Sequence, residues 1–268
     1  MTESLRLSAL TYYPVKSMQG WDVPEATVTP RGLANDRLLM VTDPDGMFYT
    51  QRDLPRLATI LPRLDGGSLR LSAPEMTPLT LPLRRSGAAL PVTIWEDEAE
   101  AVDQGEAAAG WLSQYLGVEA RLVRIRDDHL RPVNREYAVT ADDNVGFADG
   151  YPVLLASQES LDDLNARMET PLPMNRFRPN IVVSGGDPFA EDGWRRVRIG
   201  QVEVALVKPC ARCDVPTRDQ LTGQKMGNEP TATLATFRRR GNQVMFAINA
   251  IPITLGVIRV GDEVEVLA

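Results

Sequence analysis

The chain has 268 residues, 43% apolar and 24% charged, an ordinary globular composition with room for two modest domains or one large one. Its net charge of −7 gives no electrostatic basis for wrapping nucleic acid or an anionic membrane, and no apolar run approaches the roughly 18 residues that span a bilayer. Two cysteines and one histidine exclude a four-cysteine zinc site, a site of two cysteines and two histidines, and a four-cysteine iron–sulfur cluster within the chain.

The opening Met1-Thr2-Glu3-Ser4 lacks the basic and apolar regions of a signal peptide, so a cytoplasmic protein with reduced thiols is expected. The first hundred residues read as short strands. Leu5 to Tyr13 alternates in part, and Leu38 to Thr42 is a short apolar run. Asp43-Pro44-Asp45-Gly46 supplies turn chemistry, with Met47 to Thr50 as the hairpin partner. Arg56 to Leu64, Ser68 to Ser72, Leu79 to Leu83 and Pro91 to Trp95 continue the series, with a turn at Gly66-Gly67. Such spacing predicts a sandwich or barrel.

A helix follows, with Ala108, Trp111, Leu112, Tyr115 and Leu116 on one face and Gly117 placed to end it. Ser157 is an N-cap for a second helix, whose stripe is Leu161, Leu164 and Met168 and which Pro171 and Pro173 stop. Then come a strand at Ile181 to Ser184, a hairpin from Val197 to Leu206 turning at Gly200-Gln201, a helix around Thr231 to Arg238, and a closing strand at Val264 to Leu267. No internal repeat or low-complexity tract is visible. The domain boundary is expected in the acidic, alanine-rich stretch of residues 100–125, giving domains of 1–115 and 116–268.

His129, in Arg126-Asp127-Asp128-His129, reads as a surface histidine, so histidine-based nucleophilic catalysis has little support. Lys208-Pro209-Cys210-Ala211-Arg212-Cys213 holds both cysteines, and nearby positive charge favours the thiolate, the form that attacks electrophiles or binds a soft metal. By spacing alone three readings stand. The pair is a redox dithiol, two incidental thiols, or a source of one thiolate for a metal whose other ligands come from a cofactor. Tyr13-Pro14-Val15-Lys16-Ser17 and Asn175-Arg176-Phe177-Arg178-Pro179-Asn180 look suited to an anion. Arg176 and Arg178 share a side if that segment is extended, and arginine's planar fork suits phosphate.

Tyr-Pro-Val-Lys-Ser at 13–17, Asn-Asp-Arg at 35–37, Arg-Phe-Arg-Pro-Asn-Ile-Val-Val at 176–183, Lys-Pro-Cys-Ala-Arg-Cys at 208–213 and Val-Gly-Asp-Glu-Val at 260–264 together resemble the MOSC family. The resemblance is to the branch with an N-terminal MOSC β-barrel domain, to which amidoxime-reducing components and their bacterial relatives belong, and it covers essentially the whole chain. It implies an α+β, mainly β fold, in which an N-terminal β-barrel-like domain packs on a C-terminal MOSC β-barrel with a few helices.

The resemblance also implies a pterin molybdenum cofactor (Mo-molybdopterin), with Cys213 as the molybdenum ligand and catalytic residue and Cys210 as a neighbour in the same loop. Lys16, Ser17, Arg37 and Arg178 match positions that hold the pterin and its phosphate, and Arg176 joins them from the same arginine-rich segment. Ala211 and Arg212 match the loop presented to the cofactor, while Asp149 and Asn249 match further contacts. The implied activity is two-electron reduction of an N-hydroxylated small molecule. Some bacterial relatives carry a C-terminal [2Fe–2S] domain, whereas this chain ends at Ala268. Electrons are therefore expected from a separate reductase, a flavin or [2Fe–2S] protein, with no nucleic acid or membrane partner. A cofactor or sulfur carrier without turnover, and a dithiol redox protein, are the alternatives.

Overall fold

The structure is a computed structural model and describes residues 4–268; the signal-peptide reading of residues 1–3 lies outside the described part. Its centre is a nine-stranded sheet. In spatial order the main path runs Val264–Val266, Arg196–Ile199, Val202–Ala211, Gln243–Pro252, Val153–Ser157, Ile181–Ser184, Arg6–Tyr12 and Trp21–Asp22, and Arg239–Arg240 pairs with Gln243–Pro252 off that path. Leu7, Leu155, Ile181, Val183, Val197, Val204 and Ile248 from these strands bury their side chains in one core. The sheet Gly256–Arg259, Glu25–Thr29, Gly32–Leu33 adds Val28, Leu33 and Ile258 to the same core.

Residues of the first half build two further sheets. One is Leu39–Thr42, Arg121–Ile125, Asp97–Asp103 and Leu90–Ile94 in spatial order, and the other is Leu61–Asp65, Ser68–Ser72 and Leu79–Pro82. Helix α1 (Glu106–Leu116) buries Ala108, Trp111, Leu112, Tyr115 and Leu116 between them, and Gly117 ends it in the left-handed region with φ 76°, which costs glycine least. Pairing crosses the 115/116 position in both directions. Arg121–Ile125 belongs with Leu39–Thr42, and Arg6–Tyr12 belongs with Ile181–Ser184.

Helix α2 (Gln158–Ala166) connects the parallel neighbours Val153–Ser157 and Ile181–Ser184. The Ser157 hydroxyl caps it, accepting from the Ser160 amide at 3.1 Å. Met168 lies beyond the helix end, though it packs on the same cluster as Leu161 and Leu164. A third helix, α3, spans Thr231–Phe237. Among the described residues, no helix is long and apolar enough to cross a membrane.

Two local expectations are corrected. Residues 56–64 do not form one strand: Pro55–Thr59 is a 3₁₀ turn, and the strand starts only at Leu61. Pro55 explains the change, because its fixed φ suits a helical first position and its missing N–H cannot serve a sheet ladder. Residues 47–50 also form no full hairpin strand; they pair with the neighbouring strands only through the single bridges Thr42–Phe48 and Met47–Thr93, with further bonds such as Tyr49 N–H to the Val41 carbonyl at 2.8 Å.

Candidate functional site

Residues far apart in sequence converge on one cleft where the nine-stranded sheet meets the Leu39–Thr42 and Leu90–Ile94 sheet. Nine of the ten residues expected at the site line it: Lys16, Ser17, Arg37, Asp149, Arg178, Ala211, Arg212, Cys213 and Asn249. Arg176 does not. The segment expected to be extended instead turns through a 3₁₀ helix (Met174–Arg176), and Arg178 adopts φ 57°, so the two arginines diverge. Arg176 is buried and donates to the Pro216 carbonyl and the Asp219 carboxylate, each at 3.3 Å.

Lys16 arrives at the cleft because its backbone amide bonds Leu39 at 2.8 Å as the chain leaves Arg6–Tyr12. The residue is 6% exposed, and its ammonium donates to the Phe147 carbonyl at 3.0 Å and forms an ion pair with Asp149. Burial lowers the Lys16 pKa, and the Asp149 carboxylate resists that fall. The surrounding protein disfavours the Asp149 charge, but Lys16, the Trp95 indole N–H and Arg37 more than offset this and hold the carboxyl well below the usual range. Sequence spacing has no way to show that residues 16 and 149 meet.

Arg37 and Arg178 both lie over the Tyr13 ring, with guanidinium carbons 4.3 and 4.2 Å from its centroid. Gly20 permits this placement of the ring, since a Cβ there would fall 2.5 Å from a Tyr13 ring carbon. Burial opposes the Arg37 charge, yet the Asp36 carboxylate at 2.7 Å holds its pKa above the ordinary value. Arg178 has no such partner, and burial lowers it to about 10. One arm of Arg178 donates to Gln220 at 3.2 Å, and the other is buried without a partner.

The cysteine loop is shaped by two irregularities between Val202–Ala211 and Gln243–Pro252. The register shifts once between Leu206 and Lys208 and again between Pro209 and Ala211, where Ala247 opposite has φ 68°. Bulges of this kind re-aim side chains beside functional sites. Here they place Asn249 opposite Lys208 and end the strand with Ala211, Arg212 and Cys213 on the cleft wall. Cys213 is exposed and Cys210 half-buried. Arg212 donates to the Cys210 sulfur at 3.1 Å and to the Phe177 carbonyl at 3.0 Å, while its Nε is buried and unpartnered. The two thiols therefore sit in different surroundings, which does not suit a symmetric dithiol.

Backbone strain gathers here. Ser17, Arg37, Trp95 and Arg178 all line the cleft and all have φ between 46° and 68°, a region that costs a residue with a side chain about 1–3 kcal/mol. The cleft sets five cationic side chains (Lys16, Arg37, Arg52, Arg178, Arg212) against Asp149 as its one carboxylate. Orphaned donors on Arg178 and Arg212 in such surroundings fit an anionic ligand with several acceptor oxygens. Among the described residues no cluster of three or more His, Cys, Asp or Glu is placed to hold a metal. A metal at Cys213 thus needs ligands from outside the chain, as a cofactor dithiolene provides.

Thr50, Gln51, Arg52 and Trp95 also line the cleft, though none was expected to, and Asn180 joins them from the segment read as suited to an anion. Gln51 reaches the Ser17 carbonyl at 2.8 Å and exchanges amide hydrogen bonds with Gln220 at 3.0 and 3.1 Å. The polar run Thr50-Gln51-Arg52 directly after an apolar turn was the available signal. His129 is half-buried and away from the cleft lining.

Residues 4–119 match the MOSC N-terminal beta barrel domain, and residues 142–265 match the MOSC domain. The chain is 36% identical over 280 residues to mitochondrial amidoxime-reducing component 1 of Homo sapiens, covering 97% of this chain and 82% of that protein. It is likewise 36% identical over 275 residues to mitochondrial amidoxime reducing component 2 of Homo sapiens, covering 96% and 82%. Among solved structures, the YUAD protein from Bacillus subtilis aligns over 97% of this chain and 94% of that one, with 11% identity and a TM-score of 0.45.

Proposed function

The chain belongs to the MOSC family, in the branch with an N-terminal MOSC β-barrel domain, and from that membership we propose that it is a molybdenum-cofactor-dependent reductase of N-hydroxylated small molecules. The names of the relatives support the reaction class, since both are amidoxime-reducing components. The observation that carries the reading is the cleft itself, where five cationic side chains and two unsatisfied guanidinium donors surround an exposed cysteine in a chain of net charge −7.

Lys16, Ser17, Arg37, Arg178 and Arg212 are the residues that hold the pterin and its phosphate in this proposal, with Ala211, Asn249 and Asp149 beside them. Arg176 braces the segment that follows the cysteine loop, at Pro216 and Asp219, rather than touching the ligand. Cys213 supplies the thiolate for a soft metal. When bound, the cofactor supplies the two-electron chemistry that removes oxygen from nitrogen. The chain's own residues bind, orient and neutralise. Arg37 and Arg178 are stacked on Tyr13 and cannot swing away, and Asp149 keeps Lys16 protonated and aimed across the cleft. Cleavage of an N–O bond consumes two electrons and two protons and releases water. The electrons come from a separate redox protein bearing a flavin or a [2Fe–2S] cluster. A cytoplasmic setting, where thiols stay reduced, belongs to the same proposal.

The test is metal and pterin analysis of protein made in a host that synthesises the cofactor, with reduction of an aromatic N-hydroxylated substrate by a chemical donor. Stoichiometric molybdenum that is lost in Cys213→Ser, together with turnover, is the expected result. Bound cofactor without turnover makes the protein a carrier. A folded sample with neither metal nor pterin overturns the reading.

A further inference from the structure

Beside the basic cleft lies a second hollow that shares Arg52, Trp95 and Asp149 with it. Its charge has the opposite sign: Asp53, Glu96 and Asp97 join Asp149, against Arg52 and Arg131. Three of those carboxylates are already engaged. Asp53 accepts from the Thr50 amide and hydroxyl at 2.9 and 2.7 Å, Asp97 pairs with Arg131 at 2.7 Å, and Asp149 pairs with Lys16. Glu96 is exposed at the turn between Leu90–Ile94 and Asp97–Asp103 and makes no ion pair among the described residues.

The walls of this hollow are aromatic and fixed. Phe48 meets Trp95 edge to face, with centroids 4.9 Å apart, and Tyr49 continues the surface. Trp95 is 42% exposed, yet its indole N–H donates to Asp149 at 3.1 Å and the Arg52 guanidinium lies 4.8 Å from its ring centroid. Its backbone has φ 57°, a strained conformation for so bulky a residue. The chain entering this wall is tied to the strand that precedes Trp95. Gly46 approaches the Pro91 carbonyl so closely that a Cβ would fall 2.7 Å from it, and Met47 bridges Thr93. A large ring fixed from several sides, with Arg52 and Lys16 at 4.8 and 5.9 Å from its centroid and 42% of the residue still exposed, offers its remaining free surface as a platform for a planar group.

We propose that this hollow is the substrate subsite and that it admits planar molecules that are neutral or cationic while turning away anionic ones. Trp95 is the stacking platform and Glu96 the free carboxylate that sets the charge preference. The proposal rests on the reductase reading of the adjoining cleft. The chemistry is coherent with it, because a nitrogen base grows more basic on losing its hydroxyl, so the product suits a negatively lined exit. An anion is drawn instead into the basic cleft.

Benzamidine, a planar cation with no N–O bond to reduce, is the probe, titrated calorimetrically into the full chain. Binding is expected to weaken about fivefold in Glu96→Gln, the size of one exposed ionic contact, further in Glu96→Lys and Trp95→Ala, and to persist in Trp95→Phe. In turnover, two aromatic N-hydroxylated substrates differing only in a para-trimethylammonium or para-carboxylate group are compared. The wild type should favour the cation in kcat/KM, and Glu96→Lys should abolish or reverse that preference. Benzamidine binding that is absent, or equal in all variants, overturns the subsite, as does a preference that survives Glu96→Lys. Intact cofactor and turnover alongside those results fail the subsite alone. A folded chain without molybdenum and pterin fails the reductase reading first, and with it the role given to the hollow.

Discussion

Arg212 holds the sulfur of Cys210 at 3.1 Å and leaves that of Cys213 free on the wall of the cleft. Two thiols three positions apart thus differ in their surroundings, one accepting from a guanidinium and the other exposed on the cleft wall, and the proposed function gives the ligand to the second. Cys210→Ala should lower stability by about 1 kcal/mol, because it removes the acceptor of a charged donor. Cys213→Ala should change stability by less than about 0.5 kcal/mol, since the residue is exposed. Molybdenum content should respond in the opposite order, being lost with Cys213 and largely kept with Cys210. Urea midpoints and metal analysis on the same samples check both halves, and equal effects of the two substitutions on metal would argue for a symmetric pair.

The ion pair of Lys16 and Asp149 makes stability depend on acid. The folded-state pKa of Asp149 is depressed, chiefly by Lys16 acting against the unfavourable protein surroundings. Its contribution is therefore fully present above the unfolded carboxylate value near 4 and is lost as pH falls toward the folded value. The Asp149 side chain is 70% exposed, so solvent screening trims the contribution to about 1 kcal/mol. Urea midpoints measured from pH 7 down to pH 3 should converge for wild type and Asp149→Asn. A gap that stays constant over that range would mean that Asp149 acts through packing instead of charge.

Much of this arrangement was legible in the sequence where chemistry and spacing were local. Gly117 ends α1 and Ser157 caps α2 where turn and cap chemistry place them. The Asp97–Asp103 strand escaped because its buried positions are Ala99, Ala101 and Val102, small residues set among carboxylates that read as a solvated stretch. Arg176 was misplaced for a related reason: two residues apart share a face only in extended chain, and a 3₁₀ turn with a left-handed Arg178 breaks that geometry. Gln51, Trp95 and Gln220 gain their roles only from tertiary contacts over 34 to 169 positions, which no local pattern encodes.

Gln51 and Gln220 tie the two halves of the site together. Their amides exchange hydrogen bonds while Gln51 also holds the strained Ser17 carbonyl and Gln220 accepts from Arg178. Both side chains are nearly fully buried. Removing either breaks the two buried hydrogen bonds between them and strips the Ser17 carbonyl or the Arg178 guanidinium of a partner, so Gln51→Ala and Gln220→Ala should each cost about 1–3 kcal/mol. The double variant should cost less than the sum, with a coupling of about 1–2 kcal/mol. A double-mutant cycle in urea measures it, and additive effects would show that the pair carries no energy of its own.

Arg178 offers the sharpest separation of charge from shape. Its guanidinium is buried, with one arm on Gln220, a face over Tyr13 and the remaining arm unpartnered. Arg178→Lys keeps the charge but removes the planar fork that could engage two oxygens of a phosphate at once. Burial already lowers the arginine to about 10, and a lysine begins from a lower intrinsic value. The substituted ammonium should therefore lose charge at a lower pH than the arginine does, weakening ligand retention as conditions turn alkaline. Pterin content after gel filtration should fall about tenfold at pH 7 in Arg178→Lys and further at pH 9, while wild type changes little over that interval. Equal retention at both pH values would assign the residue to folding rather than to the ligand.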